Sequence, residues 1–145
     1  MGTAVKSVKK ARGKVPSALK QYVAIWAKGK VDLVDAVFDA RIVRHHPSSI
    51  RPPLVEGREA YKAYVTEFRT MHPDLQFEVL DSIVTDRAIA YRYEASALNP
   101  ATNQRFTFGG IAISKFSRGK IIEEFVTWDT YDLMAQVGLV PPREP

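Results

Sequence analysis

The sequence predicts a single α+β domain in which N-terminal helices pack on one face of a curved antiparallel sheet. Helical patterns fill the first half of the 145-residue chain, and alternating β patterns fill the second half. Gly109-Gly110 lies within one of the predicted strands, which indicates strong curvature. A curved sheet capped by helices forms a cone with an open mouth, and such a cone suits a small-molecule pocket.

Charge is concentrated at the start of the chain. Residues 1–20 carry six basic and no acidic side chains, whereas the whole chain has a net charge of +5, so the remainder is close to neutral. We interpret residues 1–15 as a basic, flexible extension, residues 16–140 as one domain and residues 141–145 as a tail. This distribution favours neither nucleic acid nor a membrane as partner of the folded body.

The sequence lacks two features, cysteine and a long apolar run, and this narrows the range of possible functions. The chain has no cysteine, which excludes disulfides, thiolate metal sites and thiol chemistry. It has no apolar run long enough for a membrane span, and its basic start lacks the apolar core of a secretory signal peptide. We therefore expect a cytoplasmic protein.

Apolar residues at helical spacing predict three helices, over residues 16–28, 32–38 and 56–71. The first helix starts at Ser17 or Pro16 and ends at Lys28-Gly29-Lys30, and the third stops before Pro73. A short strand over residues 41–46 leads into a loop rich in proline and serine, over residues 47–53, which we expect to border a site.

Alternating patterns predict four long strands, over residues 75–84, 88–98, 105–116 and 121–128, and a short helix begins at Thr130. If Phe125, Thr127 and Asp129 share the inner face of the last strand, Asp129 points into the cone. A carboxylate among aromatic side chains has a raised pKa and can transfer protons near neutral pH. Asp129 is also placed to cap the N-terminus of the following helix, and the two roles compete for the same oxygens.

Several segments, in the right order, resemble the SnoaL-like polyketide cyclases. Their opening helix resembles the segment from Tyr22 to Asp32, and their strand ending in histidine and proline resembles Ile42 to Pro47. Their glycine-started helix resembles Glu56 to Tyr61, their Phe-Pro-Asp-Leu step resembles His72 to Leu75, and their closing Trp-Asp motif resembles Trp128 to Gly138. The resemblance implies the nuclear transport factor two-like fold, an α+β cone related to the cystatin-like barrel.

The resemblance also implies a chemistry. In these cyclases an aspartate at the position of Asp129 acts as general acid/base in an intramolecular aldol ring closure, and a histidine at the position of His45 lines the pocket. No cofactor and no metal are used. We therefore predict a cofactor-free enzyme that cyclises or isomerises a hydrophobic, carbonyl-containing metabolite, with Asp129 and His45 as catalytic residues. The chain departs from the family at His46, where an aspartate is common, and at Asp132, where a glycine is common.

Aromatic residues supply the predicted wall of the pocket. The candidate substrate-binding residues are Tyr22, Trp26, Tyr64, Phe68, Phe106, Phe108 and Phe125. Most aromatic side chains in helices and strands are plain core, so packing is the competing interpretation for each of them. A metal site formed by His45, His46 and Asp129 is disfavoured, because adjacent residues of a strand point to opposite faces.

Three alternatives remain open. The scaffold can support a lyase or dehydratase reaction, or an epoxide hydrolase in which Arg92 and Glu94 face inward beside Asp129. It can also be a non-catalytic binding domain in which Asp129 is only a cap. In each case an apolar outer sheet face, carrying Ile111, Ile113 and Val126 or their alternates, needs cover, so we predict a homodimer or a tetramer.

Overall fold

The computed structural model describes residues 17–145, and the basic extension predicted for residues 1–15 lies outside the described residues. The predicted α+β fold is confirmed. The helices are α1 (Ser17–Lys28), α2 (Val34–Val37), α3 (Arg58–Met71) and α4 (Thr130–Gln136), with a 3-10 turn at Val31–Leu33. The strands are β1 (Phe38–His45), β2 (Leu54–Glu56), β3 (Gln76–Val84), β4 (Ala88–Leu98), β5 (Arg105–Ser117) and β6 (Lys120–Trp128).

The sheet has six strands in the order β2-β1-β6-β5-β4-β3. β1 runs parallel to β6, and all other neighbours are antiparallel. The four-strand meander of the second half is therefore extended by a β1–β2 pair from the first half. The second predicted helix is shorter than expected, because Phe38 already pairs with Ile121 of β6 and begins the strand.

The helices α1 and α3 cover the inner face of the sheet. Leu19, Tyr22, Ile25 and Trp26 of α1 are buried, as are Tyr61 and Val65 of α3. These side chains follow the predicted helical spacing, so burial of one apolar stripe per helix explains why both helices form. No helix within residues 17–145 is long and apolar enough to cross a membrane.

A bulge in β6 decides which of its residues face the cone. Lys115 of β5 pairs with Glu123, but the next residue, Phe116, pairs with Ile121, so Ile122 is the extra residue of the bulge. Strict alternation from a buried Ile121 would carry Phe125 inward. The bulge reverses the phase, and the odd-numbered residues beyond it face outward.

The expected inner face of Phe125, Thr127 and Asp129 is therefore wrong. Glu124 and Val126 are buried and Trp128 is half-buried on the inner face, whereas Phe125 and Thr127 are exposed. An expectation based on simple alternation fails here because a single extra residue changes the face of every residue that follows it.

Gly110 allows the inner face to curve around an aromatic side chain. A Cβ atom at this position would clash with the Thr127 carbonyl oxygen and with the hydroxyl of Tyr93. That hydroxyl donates to the Thr127 oxygen at 3.4 Å, so the Tyr93 ring crosses β5 where the strand has no side chain. At the neighbouring Gly109, an added Cβ atom would make only an ordinary contact with the Tyr93 carbonyl oxygen, at 3.5 Å.

Candidate functional site

A small internal cavity lies between α1, α3 and the inner face of the sheet. Its volume is about 30 Å³, which is room for roughly two water molecules. The wall is almost wholly aromatic and aliphatic, with one guanidinium group. The lining residues from the helices are Tyr22, Trp26, Tyr64 and Phe68, and those from the sheet side include Arg44, Tyr93, Phe108, Val126 and Trp128.

A buried ion pair forms the deep end of this region. Arg44 of β1 and Glu124 of β6 are paired residues of the parallel ladder, and Nη1 donates to Oε2 at 3.0 Å. The side chains are 6% and 0% exposed. Burial of two charges is costly, so the pair needs further hydrogen bonds to both groups.

Hydroxyl groups from both helices complete the pair. Tyr61 donates to Oε2 of Glu124 at 2.9 Å, and the Tyr22 oxygen accepts from Nη1 of Arg44 at 3.2 Å. Burial, followed by the charge of Glu124, raises the pKa of Tyr22 to about 12, and the same causes raise the pKa of Tyr61. Both hydroxyls therefore stay protonated at neutral pH, and they join α1 and α3 to the sheet.

The other edge of the Arg44 guanidinium contacts His46. Nε of Arg44 donates to Nε2 of His46 at 2.9 Å, and Nδ1 of His46 lies 2.7 Å from the Pro52 carbonyl oxygen. Because a carbonyl only accepts, Nδ1 carries the proton and Nε2 is the acceptor. Burial, followed by the charge of Arg44, lowers the pKa of His46 to about 4, so the ring is neutral at pH 7.

The polar groups that line the cavity are rich in donors. Nε1 of Trp128 is buried and has no hydrogen-bond partner within residues 17–145. Arg44 is donor-only, and no hydrogen bond from its Nη2 is found in that same part of the chain. No carboxylate is among the lining residues described. The cavity is therefore suited to an oxygen that accepts hydrogen bonds.

Asp129 does not face this cavity. It is exposed at the end of β6, and its Oδ1 accepts from the backbone nitrogen of Asp132 at 3.0 Å, which caps α4. This contact agrees with the alternative interpretation of Asp129 as the N-terminal cap of α4. Asp129 borders a separate open depression with Tyr131, Gln136 and Arg143. Its catalytic role stays a prediction that the geometry does not support.

His45 and Phe125 lie on the outer face of the sheet, contrary to the expectation that they line the pocket. Their rings stack at 4.4 Å with an interplanar angle of 3°. Nε2 of His45 lies 3.1 Å from Oε2 of Glu123, and Lys115 also contacts Glu123, at 3.2 Å. The bulge in β6 explains why Phe125, like Asp129, does not face the cavity. His45 faces outward because it alternates with its neighbour Arg44, which faces inward.

The other predicted aromatic residues lie on the inner side. Tyr22, Trp26, Tyr64, Phe68 and Phe108 line the cavity. Phe106 lies one layer further out, with its ring 6.2 Å from that of Phe108. Whether any of these residues binds a ligand stays a prediction.

The sequence reasoning missed the polar residues of the site, which are Arg44, His46, Glu124 and Trp128. One signal was available: Arg44 alternates with Ile42, a buried residue, in a strand, and a charge on an inner face needs a partner. The groups expected for an epoxide hydrolase are not at the cavity, because Arg92 and Glu94 are exposed and Arg92 pairs with Asp81. Within residues 17–145, no group of three His, Asp or Glu side chains is arranged to hold a metal ion.

Comparison with known proteins agrees with this architecture. The family model of SnoaL-like polyketide cyclases matches residues 17–137. A proposed polyketide cyclase from Bacillus cereus ATCC 10987 is similar in structure, with 25% sequence identity, a TM-score of 0.73, and coverage of 85% of this chain and 79% of its own. No curated protein matches the chain.

Two more distant structures are similar in fold. IdmH, a proposed polyketide cyclase from Streptomyces antibioticus, is 20% identical, with a TM-score of 0.73 and coverage of 83% of this chain and 96% of its own. A protein from Catenulispora acidiphila DSM 44928 with a ketosteroid isomerase-like fold, solved with trimethylamine, is 12% identical. Its TM-score is 0.78, and the coverage is 90% of this chain and 99% of that one.

Proposed function

Because the chain belongs to the family of SnoaL-like polyketide cyclases, we propose that it is an enzyme that acts on a hydrophobic, carbonyl-containing small molecule. The proposed reaction is an intramolecular aldol cyclisation or an isomerisation, carried out by the chain's own side chains without a cofactor. In both reactions a base takes a proton from the carbon next to a carbonyl group, and negative charge develops on the carbonyl oxygen. The base then returns the proton to the attacked carbonyl oxygen in the aldol closure, or to another carbon in the isomerisation.

One observation carries this proposal, namely the unpaired donors of the inner cavity. Trp128, whose Nε1 is buried and has no partner within residues 17–145, and Arg44 line a space of about 30 Å³, which fits the carbon and oxygen atoms of a carbonyl group. In a site that excludes water, such donors stabilise a developing oxyanion. The rings of a substrate need more room, so Tyr64 and Phe68, which are half-buried in the cavity wall, have to move when it binds.

A second candidate function is ligand binding without chemistry. It is favoured by the placement of Asp129, which is exposed and caps α4 instead of facing the cavity. A cavity that offers donors but no free carboxylate among the described lining residues can hold a ketone and leave it unchanged. The two candidates differ in whether a proton leaves the carbon next to the carbonyl.

Exchange of that proton can be measured before the natural substrate is known. The probe is 2-tetralone in D₂O, and NMR measures the rate at which deuterium replaces the protons next to its carbonyl. We expect the protein to raise the exchange rate above that of buffer. For the Trp128→Phe variant the increase should be at least about tenfold smaller, because one oxyanion donor is removed. Trp26→Phe is the matched control, since Nε1 of Trp26 already donates to Tyr61 at 3.3 Å.

The outcomes separate the two functions. Saturable binding of 2-tetralone with exchange at the buffer rate supports the binding function and overturns the enzyme proposal. Equal losses in the two variants would show that the unpaired donor of Trp128 has no special role.

The outer face of the sheet supports a further part of the proposal, a homodimer. Cross-strand pairing aligns His45, Phe125, Ile113, Ala90 and Ile83 in one row across five strands. Ile83 is 74% exposed and Ile111, beside this row, is 54% exposed, whereas Val126 faces inward. An exposed apolar stripe suits a second copy of the same surface. Light scattering at micromolar concentration tests it, and a monomer for the wild type would contradict it.

A further inference from the structure

An apolar groove lies outside the inner cavity, at the mouth of the cone. It is bordered by the loop after β1, the end of α3, the β4–β5 turn and α4, and its volume is about 580 Å³. This volume is within the range of small-molecule sites. Its apolar lining includes Ile50, Met71, Phe106, Leu133, Met134 and Leu139.

One aromatic layer separates the groove from the inner cavity. The ring of His72 stacks on Phe68 at 4.1 Å and meets Phe106 edge-on at 6.0 Å. Phe68 lines the inner cavity, and His72 and Phe106 line the groove. His72 is therefore the polar member of the layer, at the position where the SnoaL-like step resembling His72 to Leu75 has phenylalanine.

The hydrogen bonds of His72 fix its tautomer. The Phe68 carbonyl oxygen accepts both from the backbone nitrogen of His72, at 3.0 Å, and from its Nδ1, at 2.7 Å. Nδ1 must carry the proton, because a carbonyl oxygen has none to give. Burial lowers the pKa of His72 below its usual value, so at pH 7 the ring is neutral and Nε2 has a free lone pair.

The other polar side chains of the groove already have partners. Asn99 Oδ1 accepts from the Ala101 backbone nitrogen at 2.9 Å, Thr102 Oγ1 accepts from the Gln104 nitrogen at 3.3 Å, and Thr130 Oγ1 donates to the Trp128 carbonyl at 3.4 Å. Ser49, the remaining one, is exposed. No hydrogen bond to Nε2 of His72 is found in the part of the chain that the structure describes.

We propose that the groove is a binding site for hydroxylated aromatic compounds, in which Nε2 of His72 accepts the hydrogen of the ligand's hydroxyl group. The apolar walls take the ring system, and the imidazole is the acceptor at its inner end. This site is independent of the proposed reaction, because it requires no proton transfer and none of the hydrogen-bond donors of the inner cavity. The groove selects a ligand group that donates a hydrogen bond, whereas the inner cavity selects a ligand group that accepts one.

The test compares 2-naphthol with naphthalene, which lacks the hydroxyl group, by equilibrium dialysis at pH 7. The measured quantity is the affinity for 2-naphthol divided by the affinity for naphthalene. We expect this ratio to be about tenfold higher for the wild type than for the His72→Phe variant. Phenylalanine keeps the stacked ring and removes the acceptor. Because the measured quantity is a ratio of two affinities in each protein, a general loss of affinity cancels. Thr70→Val, which removes a hydroxyl group of α3 that is not among the groove-lining residues, is the matched control and should leave the ratio unchanged.

A second measurement does not require a folded variant. In protein labelled with ¹⁵N-histidine, the Nε2 signal of His72 should shift when 2-naphthol is added and stay in place when naphthalene is added. A preference for 2-naphthol that is equal in wild type and His72→Phe would overturn the proposal. So would an Nε2 signal that 2-naphthol leaves unmoved at saturation.

Discussion

Two pairs of a basic and an acidic side chain, one residue apart on the same two strands, lie in opposite environments. On the inner face Arg44 contacts Glu124 at 3.0 Å, and on the outer face His45 contacts Glu123 at 3.1 Å. The distances are nearly equal, but the inner side chains are 6% and 0% exposed and the outer ones 32% and 33%. The comparison teaches that distance alone says little about what an ion pair contributes, because the surroundings set the cost of separating it.

The inner pair is part of a closed network and the outer pair is not. Hydroxyls of Tyr22 and Tyr61 bond to the inner pair, and the Arg44 guanidinium lies 4.7 Å from the Trp26 ring centroid. Water replaces either partner of the outer pair at little cost. The network therefore holds α1, α3, β1 and β6 in one arrangement, which the outer pair cannot do.

The largest expected effect comes from breaking the inner pair. Glu124→Gln leaves the Arg44 charge buried without a counter-charge, so we expect the free energy of unfolding to fall by about 3–5 kcal/mol. Urea denaturation measures it. Glu123→Gln, the same substitution one residue away, is the matched control and should cost less than about 1 kcal/mol. Equal losses would show that burial does not distinguish the two faces.

A smaller loss of stability is expected at low pH, and it is caused by His46, which contacts Arg44 of the inner pair. The pKa of His46 is about 4 in the folded protein against 6.5 as its ordinary value, so between these values the unfolded chain binds the extra proton. Stability that is present above pH 6.5 is therefore lost as the pH falls towards 4, by about 2–3 kcal/mol.

The matched variant for the acid effect is His46→Gln, which keeps a donor and an acceptor but does not titrate. Urea denaturation at pH 7, 5.5 and 4 should show a steeper loss for the wild type than for this variant. The shift of His72 has the same sign and is present in both proteins, so it cancels. Parallel pH profiles would contradict the assignment of His46 as neutral and buried.

The smallest effect is expected on the outer face, as a response to salt. Glu123 contacts both His45 and Lys115, and these groups, His45 first, lower the pKa of its carboxyl. All three side chains are about a third or more exposed, so ions screen them. The difference in unfolding free energy between wild type and Glu123→Gln, about 0.5 kcal/mol at low salt, should vanish in 1 M NaCl. A difference that persists would mean that this pair is shielded.

The comparison also explains what could be predicted from the sequence. The spacing of Leu19, Tyr22 and Trp26 fixed one helix face correctly, because a helix of constant pitch repeats its pattern. The face of Phe125 could not be predicted in the same way, since the bulge at Ile122 is a property of the β5–β6 pairing. The alternation of residues along a strand can be seen in the local sequence, but pairing with the neighbouring strand decides which of the two sets faces inward.

The candidate site was predicted only in part for a related reason. Its aromatic wall follows from helical spacing, whereas its polar groups depend on β1 lying parallel to β6, a contact between residues 80 positions apart. Nothing near Glu124 in the sequence distinguishes it from Glu123. The choice between them is made by Arg44, and only the fold brings Arg44 into reach.

The aromatic wall has one consequence for the light that the protein emits. Trp26 and Trp128 are the two tryptophans of the chain, and both line the inner cavity. Tryptophan emission therefore originates entirely at that cavity, with no contribution from the groove or the outer face. Its wavelength and intensity should report when water leaves the cavity or a molecule enters it. The protein carries a built-in optical probe of its own interior.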